Sequence, residues 1–433
     1  MKTSKLILMG LCLAMAGTFT QAEAQIGKRF PSEMSTYNDP VTGIPIKVLT
    51  NSPEFSDSRI YQTHPQWTYD DKYIAFRSGR SGTGQLFFVN EQTGEIIQIT
   101  DGPGNGEYNL SRKEGLLYFM RRPRPVEGQP REDAQVIVMD TDAVLRDSER
   151  GQMKPYTAYE RVICTWPDSI SVSGGMALDV AEDLIYVGVN PPYDKETWVS
   201  PIPDLNRIPN RPGGIRSIDV KTGQINFVFN VDFTMGHVQA SPFVTREIVF
   251  CHETGGDSPQ RIWYGNMNDN TYRPLYVESY GEWVTHETIA TPDHVYFNVI
   301  AHRPYPELKT KPAGIFSANL RNGTLRVLGE VLEKDNHPEY AEVLERAQSF
   351  WHCNGSIDGQ WAAGDDFAGN VSLINVRNGH NRLFTTGHRM APDHAHPYFS
   401  KDCKRLLIQS GALSDGKRLA IMVIDIPDEW RDN

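Results

Sequence analysis

The sequence contains few cysteines and no excess of positive charge. Five of its 433 residues are cysteine, and no pair of them has the C-x-x-C spacing of a zinc site. This scarcity excludes a disulfide framework or a zinc module as the basis of the fold, although one disulfide could form in an oxidising compartment. Lys and Arg number 43 against 54 Asp and Glu, a formal net charge of −11. We therefore expect no nucleic-acid partner, because phosphate binding requires a basic face.

Long apolar runs are equally scarce, and the one that stands out lies at the N-terminus. Residues 6–19 are mostly apolar, follow Lys2 and Lys5, and precede small residues at 22–24. This pattern is typical of a secretory signal peptide. We expect residues 1–24 to be such a signal and the protein to be exported, to the periplasm or the cell exterior. A membrane anchor is the weaker alternative because the run is short for a span, so no membrane insertion is expected.

Turn residues are abundant, with 36 Gly and 28 Pro, and they punctuate a weak repeat. Seven segments each combine two strand-like stretches with a turn centred on Asp or Gly, as in a hairpin. These segments are residues 64–76, 108–119, 173–186, 237–250, 286–297, 352–363 and 396–408. A second turn signal follows in several units, at residues 90–94, 219–223, 319–323 and 375–379.

This repeat predicts the fold. Each unit offers about four short strands, and the units recur at intervals of roughly 44 to 66 residues, which is typical of propeller blades with loop insertions. We therefore predict an all-β protein in which residues 25–433 form a single seven-bladed β-propeller domain. Two stacked β-sandwiches would explain the strands but not the repeat of hairpins.

An insertion at residues 190–212 is rich in proline and aromatic residues. A long ordered loop on a rigid scaffold often forms part of a binding site. We expect this loop to be a wall of a substrate site, with Tyr193 among its contacts. The alternative is that it only packs around a blade edge.

Several of the 12 histidines recur at the start of the first strand of a repeat unit: His64, His237, His286, His352 and the pair His394 and His396. The first strand of a propeller blade borders the central channel, so these side chains should converge at one mouth as a metal or catalytic cluster. The alternating pair should point to one side of an extended strand. Together with His286 from another blade, the pair could bind one ion, and Asp393, His388 or His352 could add ligands.

Several short motifs of the chain resemble, in the same order, those of oligogalacturonate lyases. They are Thr36–Gly43, Gly236–Pro242, Phe250–Glu253, Arg261–Trp263, Gly281–Glu287 and His394–Phe399. The similarity is densest from about Arg216 onward. The resemblance implies a seven-bladed propeller that cleaves pectic uronides by β-elimination with a divalent metal such as Mn²⁺.

The resemblance also implies roles for individual residues. Metal ligands would be His286, His394 and His396, and catalytic residues would be His237 and Arg216. The family's glutamine ligand, three residues before His394, is replaced by Ala391, so we expect His352, Asp393 or water to complete the ligand set. We expect substrate contacts from His252, Tyr193 and Trp283. In such chemistry a cation and a guanidinium stabilise the charge formed when a histidine removes a proton.

Two other functions remain open. Secreted propellers of similar appearance act on glucuronate-containing glycans, and the segment Tyr61–Trp67 has no counterpart in the pectic enzymes, so His64 could serve an α-L-rhamnosidase acting on rhamnose–glucuronate ends. A non-catalytic glycan-binding propeller is the third hypothesis, since one fold hosts many functions. In each case we expect an anionic oligo- or polysaccharide partner and a monomeric protein.

Overall fold

The computed structural model describes residues 26–123, 133–199, 210–256, 258–279, 282–301 and 313–431. The expected signal peptide lies outside these residues, as does the central part of the predicted insertion, residues 200–209.

Short strands make up most of the described chain. The first fifteen are β1 (Arg29–Phe30), β2 (Ser35–Asn38), β3 (Pro45–Val48), β4 (Asp57–Arg59), β5 (Tyr73–Ser78), β6 (Gln85–Asn90), β7 (Ile96–Gln98), β8 (Asn105–Leu110), β9 (Leu116–Arg121), β10 (Gln135–Asp140), β11 (Glu160–Thr165), β12 (Ser171–Leu178), β13 (Leu184–Asn190), β14 (Gly213–Asp219) and β15 (Ile225–Val231). They are followed by β16 (Met235–Ala240), β17 (Glu247–His252), β18 (Ile262–Asn266), β19 (Thr271–Pro274), β20 (Glu282–Thr291), β21 (His294–Ala301), β22 (Gly314–Asn319), β23 (Leu325–Gly329), β24 (Phe350–Gly355), β25 (Trp361–Asp366), β26 (Val371–Asn375), β27 (Asn381–Thr385), β28 (Tyr398–Phe399), β29 (Arg405–Ser410) and β30 (Ala420–Asp425).

Helices are few and short. The α-helices are α1 (Thr141–Glu149), α2 (Ala341–Leu344) and α3 (Asp428–Arg431), and 3₁₀ turns occur at Tyr156–Ala158, Pro338–Tyr340 and Ala412–Ser414. Among the described residues, none of the helices has the length and apolar content needed to cross a membrane.

The strands form seven antiparallel sheets, which confirms the predicted seven-bladed β-propeller. Blades two to six each contain four consecutive strands, starting at β8, β12, β16, β20 and β24. Blade one has the order β4-β5-β6-β7-β1, and blade seven the order β28-β29-β30-β3-β2. The first strand of each blade is the innermost, as the sequence repeat predicted.

The predicted second turn signals connect the third and fourth strands of their blades. In the first of them the Asn90 side-chain oxygen accepts hydrogen bonds from the backbone N–H groups of Gln92 and Thr93, both at 2.9 Å. Gly94 then takes a left-handed conformation with φ of 72°. This Asx-type turn reverses the chain within five residues, and it recurs at 219–223, 319–323 and 375–379.

The ring is closed by strands from both ends of the chain. Strand β3 pairs with β30, with Lys47 opposite Val423 and Val48 opposite Met422. The closure buries Ile46 and Val48 in a core that also contains Met422. Similar apolar cores lie between neighbouring sheets around the ring, so each blade is stabilised by the blades beside it.

Candidate active site

Bulges in the inner strands bring histidines toward the channel. The pairing of β16 with β17 shifts between Gly236 and Gln239, and the pairing of β20 with β21 shifts between Thr285 and Thr288. His237 and His286 lie inside these bulges with φ of 48° and 51°. Positive φ is uncommon for residues other than glycine and often marks a functional position. A bulge redirects a side chain, which explains how each blade presents its histidine.

Four histidines lie together, and we call them the histidine cluster: His286 on β20, His352 on β24, and His394 and His396 just before β28. The ring centroids of His286 and His352 are 4.0 Å apart, and those of His352 and His396 are 3.7 Å apart. His394 lies 5.1 Å from His352 and 6.4 Å from His396. Three blades therefore contribute to one group of imidazoles, as the repeat predicted.

Hydrogen bonds fix which ring nitrogen of three cluster members carries the proton. The Nδ1 of His286 lies 2.6 Å from the Trp351 carbonyl oxygen, and the Nδ1 of His396 lies 2.9 Å from Gln62 Oε1. The Nδ1 of His352 lies 3.1 Å from Asp365 Oδ2. Because each partner is an acceptor, each Nδ1 must donate, and the Nε2 atoms of His286 and His352 keep their lone pairs. Metal-binding histidines are oriented in the same way.

Asp365 ties the cluster together. This buried carboxylate accepts hydrogen bonds from the backbone N–H of His352 at 2.7 Å and of His396 at 2.9 Å, in addition to the His352 ring. Ligand atoms of His352, Asp365 and His394 all lie within 4.8 Å of one another. Asp393, on the other side of the cluster, places Oδ1 3.2 Å from His396 Nε2.

The chemistry of this donor set fits a divalent first-row metal ion. Burial, followed by the charges of neighbouring histidines, holds the pKa of His286 and of His352 well below the ordinary value, and burial also lowers the pKa of His394. These imidazoles are therefore neutral at pH 7, as metal ligation requires. Buried His394 Nδ1 has no hydrogen-bond partner among the described residues, and His396 Nε2 faces the Asp393 carboxylate.

His237 lies beside the histidine cluster in a group of charged residues. Its ring is 5.9 Å from His286, and its side chain is 22% exposed, so a substrate can reach it. His237 Nδ1 is 3.3 Å from Glu287 Oε1, and Nε2 is 3.6 Å from Glu253 Oε2. Buried Arg261 places its guanidinium 3.4 Å from His237 Nδ1 and within 3.7 Å of both carboxylates.

Arg261 and the two carboxylates keep one another charged. Burial alone would raise the pKa of Glu287, but the hydrogen bond from His237 and the charge of Arg261 bring that pKa below its ordinary value. The pKa of Glu253 is lowered against burial by the charges of Arg261 and His237. Partly buried Tyr61 packs against both histidine sites, with its ring 5.2 Å from the His237 ring and 5.9 Å from the His396 ring.

Aromatic side chains border the cluster. Trp351 lies 4.7 Å from His286 and 5.6 Å from His394, and Trp283 packs edge-on against it at 5.2 Å. Trp283 thus lies behind Trp351 at the edge of the cluster, and its contact with substrate stays a prediction. Tyr193 lies instead in a loop, where it packs on Trp198 at 5.4 Å.

The structure does not bring three other predicted site residues to the cluster. Arg216 is on β14, the third strand of blade three, where its guanidinium donates to the Ile215 carbonyl and to Asn230 and covers the ring of Phe227. His252 is buried on β17 against Phe233 at 4.8 Å. His64 lies in the segment between β4 and β5, where its backbone N–H donates to the Tyr61 carbonyl at 3.0 Å, and not at the start of the inner strand as predicted.

Other candidate ligands are also accounted for. Both ring nitrogens of His388 are hydrogen-bonded to hydroxyl groups, those of Ser410 and Thr385. The four described cysteines are free thiols, so the structure contains no disulfide among them.

Sequence reasoning missed Arg261, Glu287 and Asp365 as site residues. Arg261 and Glu287 stand inside motifs that carried the family resemblance, which could have directed attention to them. Asp365 lies on β25, the second strand of its blade, and no local pattern distinguishes it.

Buried histidines predict that stability falls as the solution is acidified. Burial lowers the pKa of His252 and of His388 to about 4, whereas a histidine of an unfolded chain titrates near 6.5. Between these pH values the unfolded state binds more protons than the folded state, so the free energy of unfolding decreases as pH falls. We expect the midpoint of thermal unfolding, followed by circular dichroism, to drop from pH 7.5 to pH 5. The drop should be smaller in His252→Leu and unchanged in exposed His380→Ala. A midpoint that does not depend on pH would contradict the lowered pKa values of the buried histidines.

Comparison with known proteins supports the architecture. No family model matches the chain. Oligogalacturonate lyase of Dickeya dadantii is 24% identical over 269 residues, which cover 60% of this chain and 62% of that protein. Oligogalacturonide lyase of Pectobacterium atrosepticum is 23% identical over the same shares. The match thus spans less than two thirds of the length of these curated relatives.

Solved structures extend the likeness to nearly the whole chain. An oligogalacturonate lyase in complex with manganese has a TM-score of 0.71 at 19% identity, covering 93% of this chain and 98% of that one. Oligogalacturonate lyase of Vibrio parahaemolyticus has a TM-score of 0.70 at 16% identity, covering 93% and 99%. The WD40 repeats of RRP9 reach only 0.52 at 11% identity, covering 91% and 100%. By fold, therefore, the chain is an oligogalacturonate lyase-like seven-bladed β-propeller.

Proposed function

We propose that the protein is a lyase that cleaves pectic oligouronides by metal-assisted β-elimination. The observation that carries the proposal is the meeting of the histidine cluster with His237 and Arg261 at one place in the ring. The relatives named above are oligogalacturonate lyases, and one of the similar structures holds manganese. The imidazole of His237, next to the histidine cluster and to the buried guanidinium of Arg261, is suited to removing a proton next to a carboxylate of the substrate.

The histidine cluster would hold the metal through His286, His394 and His396. His352, the fourth imidazole of the cluster, would take over the role of the family's glutamine, because the side chain of Ala391 at that position offers no ligand atom. A divalent cation bound there would supply a positive charge for the substrate carboxylate and for the charge that develops during proton removal.

Side chains of the protein would transfer the proton, stabilise the developing charge and contact the sugar. His237, which is 22% exposed, would accept the proton, while Glu287 beside its Nδ1 orients the ring. Arg261 would stabilise the negative charge that forms on the substrate, and it needs no reorganisation because two carboxylates fix it. Trp283 and Trp351 offer an apolar face against which a sugar ring can pack.

The proposal includes the setting of the reaction. We propose that residues 1–24 direct export, so that a monomeric enzyme acts outside the cytoplasm on anionic oligosaccharides. Fusion of residues 1–24 to a reporter tests the export step independently of the chemistry.

Product analysis tests the reaction. Elimination creates a double bond conjugated with the carboxylate. This conjugated product absorbs at about 235 nm, whereas hydrolysis products contain no such double bond. We expect oligogalacturonates, but not neutral galacto-oligosaccharides, to give this absorbance. Cleavage without absorbance would contradict the proposal, and release of rhamnose from rhamnose–glucuronate ends would support the hydrolase. Tight binding of uronides with no turnover at any added metal would indicate a binding protein.

Metal affinity gives a second prediction, on Asp365. Because this carboxylate orients His352 and the backbone of His396, Asp365→Asn should weaken Mn²⁺ binding by about 10- to 100-fold. The measurement is titration of chelator-treated protein with Mn²⁺, followed by calorimetry. The matched control is Asp366→Asn, since Asp366 is also buried but accepts its hydrogen bonds from the Ala368–Asn370 turn. Equal Mn²⁺ affinity in the wild type and in Asp365→Asn would show that Asp365 does not support metal binding.

A further inference from the structure

A buried arginine in blade one has no carboxylate at ion-pair distance among the described residues. Arg59 is the last residue of β4, the innermost strand of blade one, and is 5% exposed. One guanidinium nitrogen donates to the Leu407 carbonyl at 3.2 Å. Its Nε and its other terminal nitrogen have no hydrogen-bond partner among the described residues. Burial lowers the pKa of Arg59 only to about 9, so the group is charged at neutral pH.

A second arginine, Arg112, lies near the same tyrosine as Arg59, namely Tyr398. The guanidinium of Arg59 is 6.0 Å from the Tyr398 ring, and both Arg59 and Arg112 exert a charge effect that lowers the pKa of Tyr398 against its burial. Arg112 belongs to the turn between β8 and β9, at the face of the ring opposite the start of the inner strands. We call Arg59, Arg112, Tyr398 and His64 the arginine layer.

The acidic groups near this layer are engaged elsewhere. Glu182 accepts hydrogen bonds from the Ser111 hydroxyl and from the backbone N–H of Arg112. Asp179 is paired with Arg246. Asp365 and Asp393 influence Arg59 only through longer-range charge and belong to the histidine site.

The remaining members of the layer provide no negative charge. Burial, together with Arg112, lowers the pKa of His64 to about 4, so this histidine is neutral at pH 7. Burial raises the pKa of Tyr398, which keeps its hydroxyl protonated. The layer therefore contains two cations and, among the described residues, no carboxylate at ion-pair distance from Arg59.

A buried cation without a partner is strongly unfavourable unless a counter-ion or hydrogen-bond acceptor reaches it. A guanidinium with two free N–H directions matches the two oxygens of a carboxylate. We propose that the arginine layer is a binding site for a small carboxylate, held between Arg59 and Arg112. His64, Arg112 and Tyr398 are each partly exposed, so the layer is open to a ligand. The arginine layer consists of other residues than the histidine cluster, and the binding of a carboxylate there does not depend on the proposed elimination.

The probes for this site are D-galacturonate, acetate and chloride, with D-galactose as the uncharged control. We expect D-galacturonate or acetate to raise the midpoint of thermal unfolding of the wild-type protein in a saturable manner, and D-galactose to have no effect. A shift with chloride equal to that with the carboxylates would support an anion site whose natural ligand is inorganic. No shift of the wild-type midpoint with any anion would overturn the proposal.

Variants show which arginines are required for the ligand-induced shift of the unfolding midpoint. Arg59→Met removes the charge but fills the same volume, so it should fold without loss of stability in anion-free buffer and lose the ligand-induced shift. Arg112→Gln, at a partly exposed position, should weaken binding by about tenfold. Arg246→Met is the control, because that arginine is paired with Asp179 and Asp183 outside the layer. An unchanged shift in both Arg59→Met and Arg112→Gln would place the anion elsewhere.

A further variant separates this proposal from the proposed lyase activity. His352→Ala should lose metal binding yet keep the carboxylate-induced shift if the two sites are independent. Loss of the shift in His352→Ala would mean that the carboxylate binds at the histidine cluster and would overturn the separate site.

Discussion

Replacement of His237 by glutamine is expected to reduce the rate of elimination by about 10²- to 10⁴-fold, because the reaction would lose its proton acceptor. Glutamine keeps the approximate size of the side chain and can still contact Glu287, so folding should be retained. The measurement is kcat/KM from the absorbance of the unsaturated product. Binding of Mn²⁺ should change little, since His237 is not a member of the histidine cluster.

The control for His237→Gln is His337→Ala, which alters a histidine in the exposed segment before α2. This variant should be as active as the wild type. If His237→Gln retained more than about a tenth of the wild-type rate, the proton acceptor would have to be another group, and Glu253 would be the next candidate because of its distance from the same ring.

Replacement of Arg261 by methionine is expected to have two large effects. The rate should fall by about 10²- to 10³-fold, as it does when one preorganised donor to a developing negative charge is removed. Stability should fall as well, because fully buried Glu287 would lose the nearest cation and remain as an uncompensated charge. The measurements are kcat/KM and the midpoint of thermal unfolding on the same preparations.

A double variant separates these two effects. In Arg261→Met/Glu287→Gln neither charge remains, so stability should return toward that of the wild type while the rate stays low. Recovery of the rate together with stability would show that Arg261 supports the fold only. Failure of stability to recover would show that Glu253, also within 3.7 Å of the guanidinium, is the more important partner.

The blades could be predicted from the sequence because their signals are local. Alternation of apolar residues and Asx–Gly turns such as 90–94 depend on neighbours within a few residues. The histidine cluster could be predicted for a related reason, since equivalent positions of a repeat occupy equivalent places in a ring.

The charged group around His237 could not be predicted in this way. In a regular strand Glu287 would face away from His286, but the bulge between Thr285 and Thr288 interrupts the alternation, so both side chains serve the site. Arg261 reaches the site from the segment before β18, outside the inner strands on which the prediction relied. The family resemblance implied a catalytic role for Arg216, whereas its guanidinium contacts Asn230 and the ring of Phe227 within blade three.

The pairing of β3 with β30 sets the order of events during synthesis. Strands β2 and β3 pair with each other, but β30, the next strand of their blade, is made last, so this pair joins its sheet only after residues near 425 have emerged. Histidines of the cluster come from blades five, six and seven, and Gln62 of blade one orients His396 across the closing seam. A nascent chain therefore has most of its blades before the histidine cluster is complete, and binding of the proposed metal would report completion of the ring.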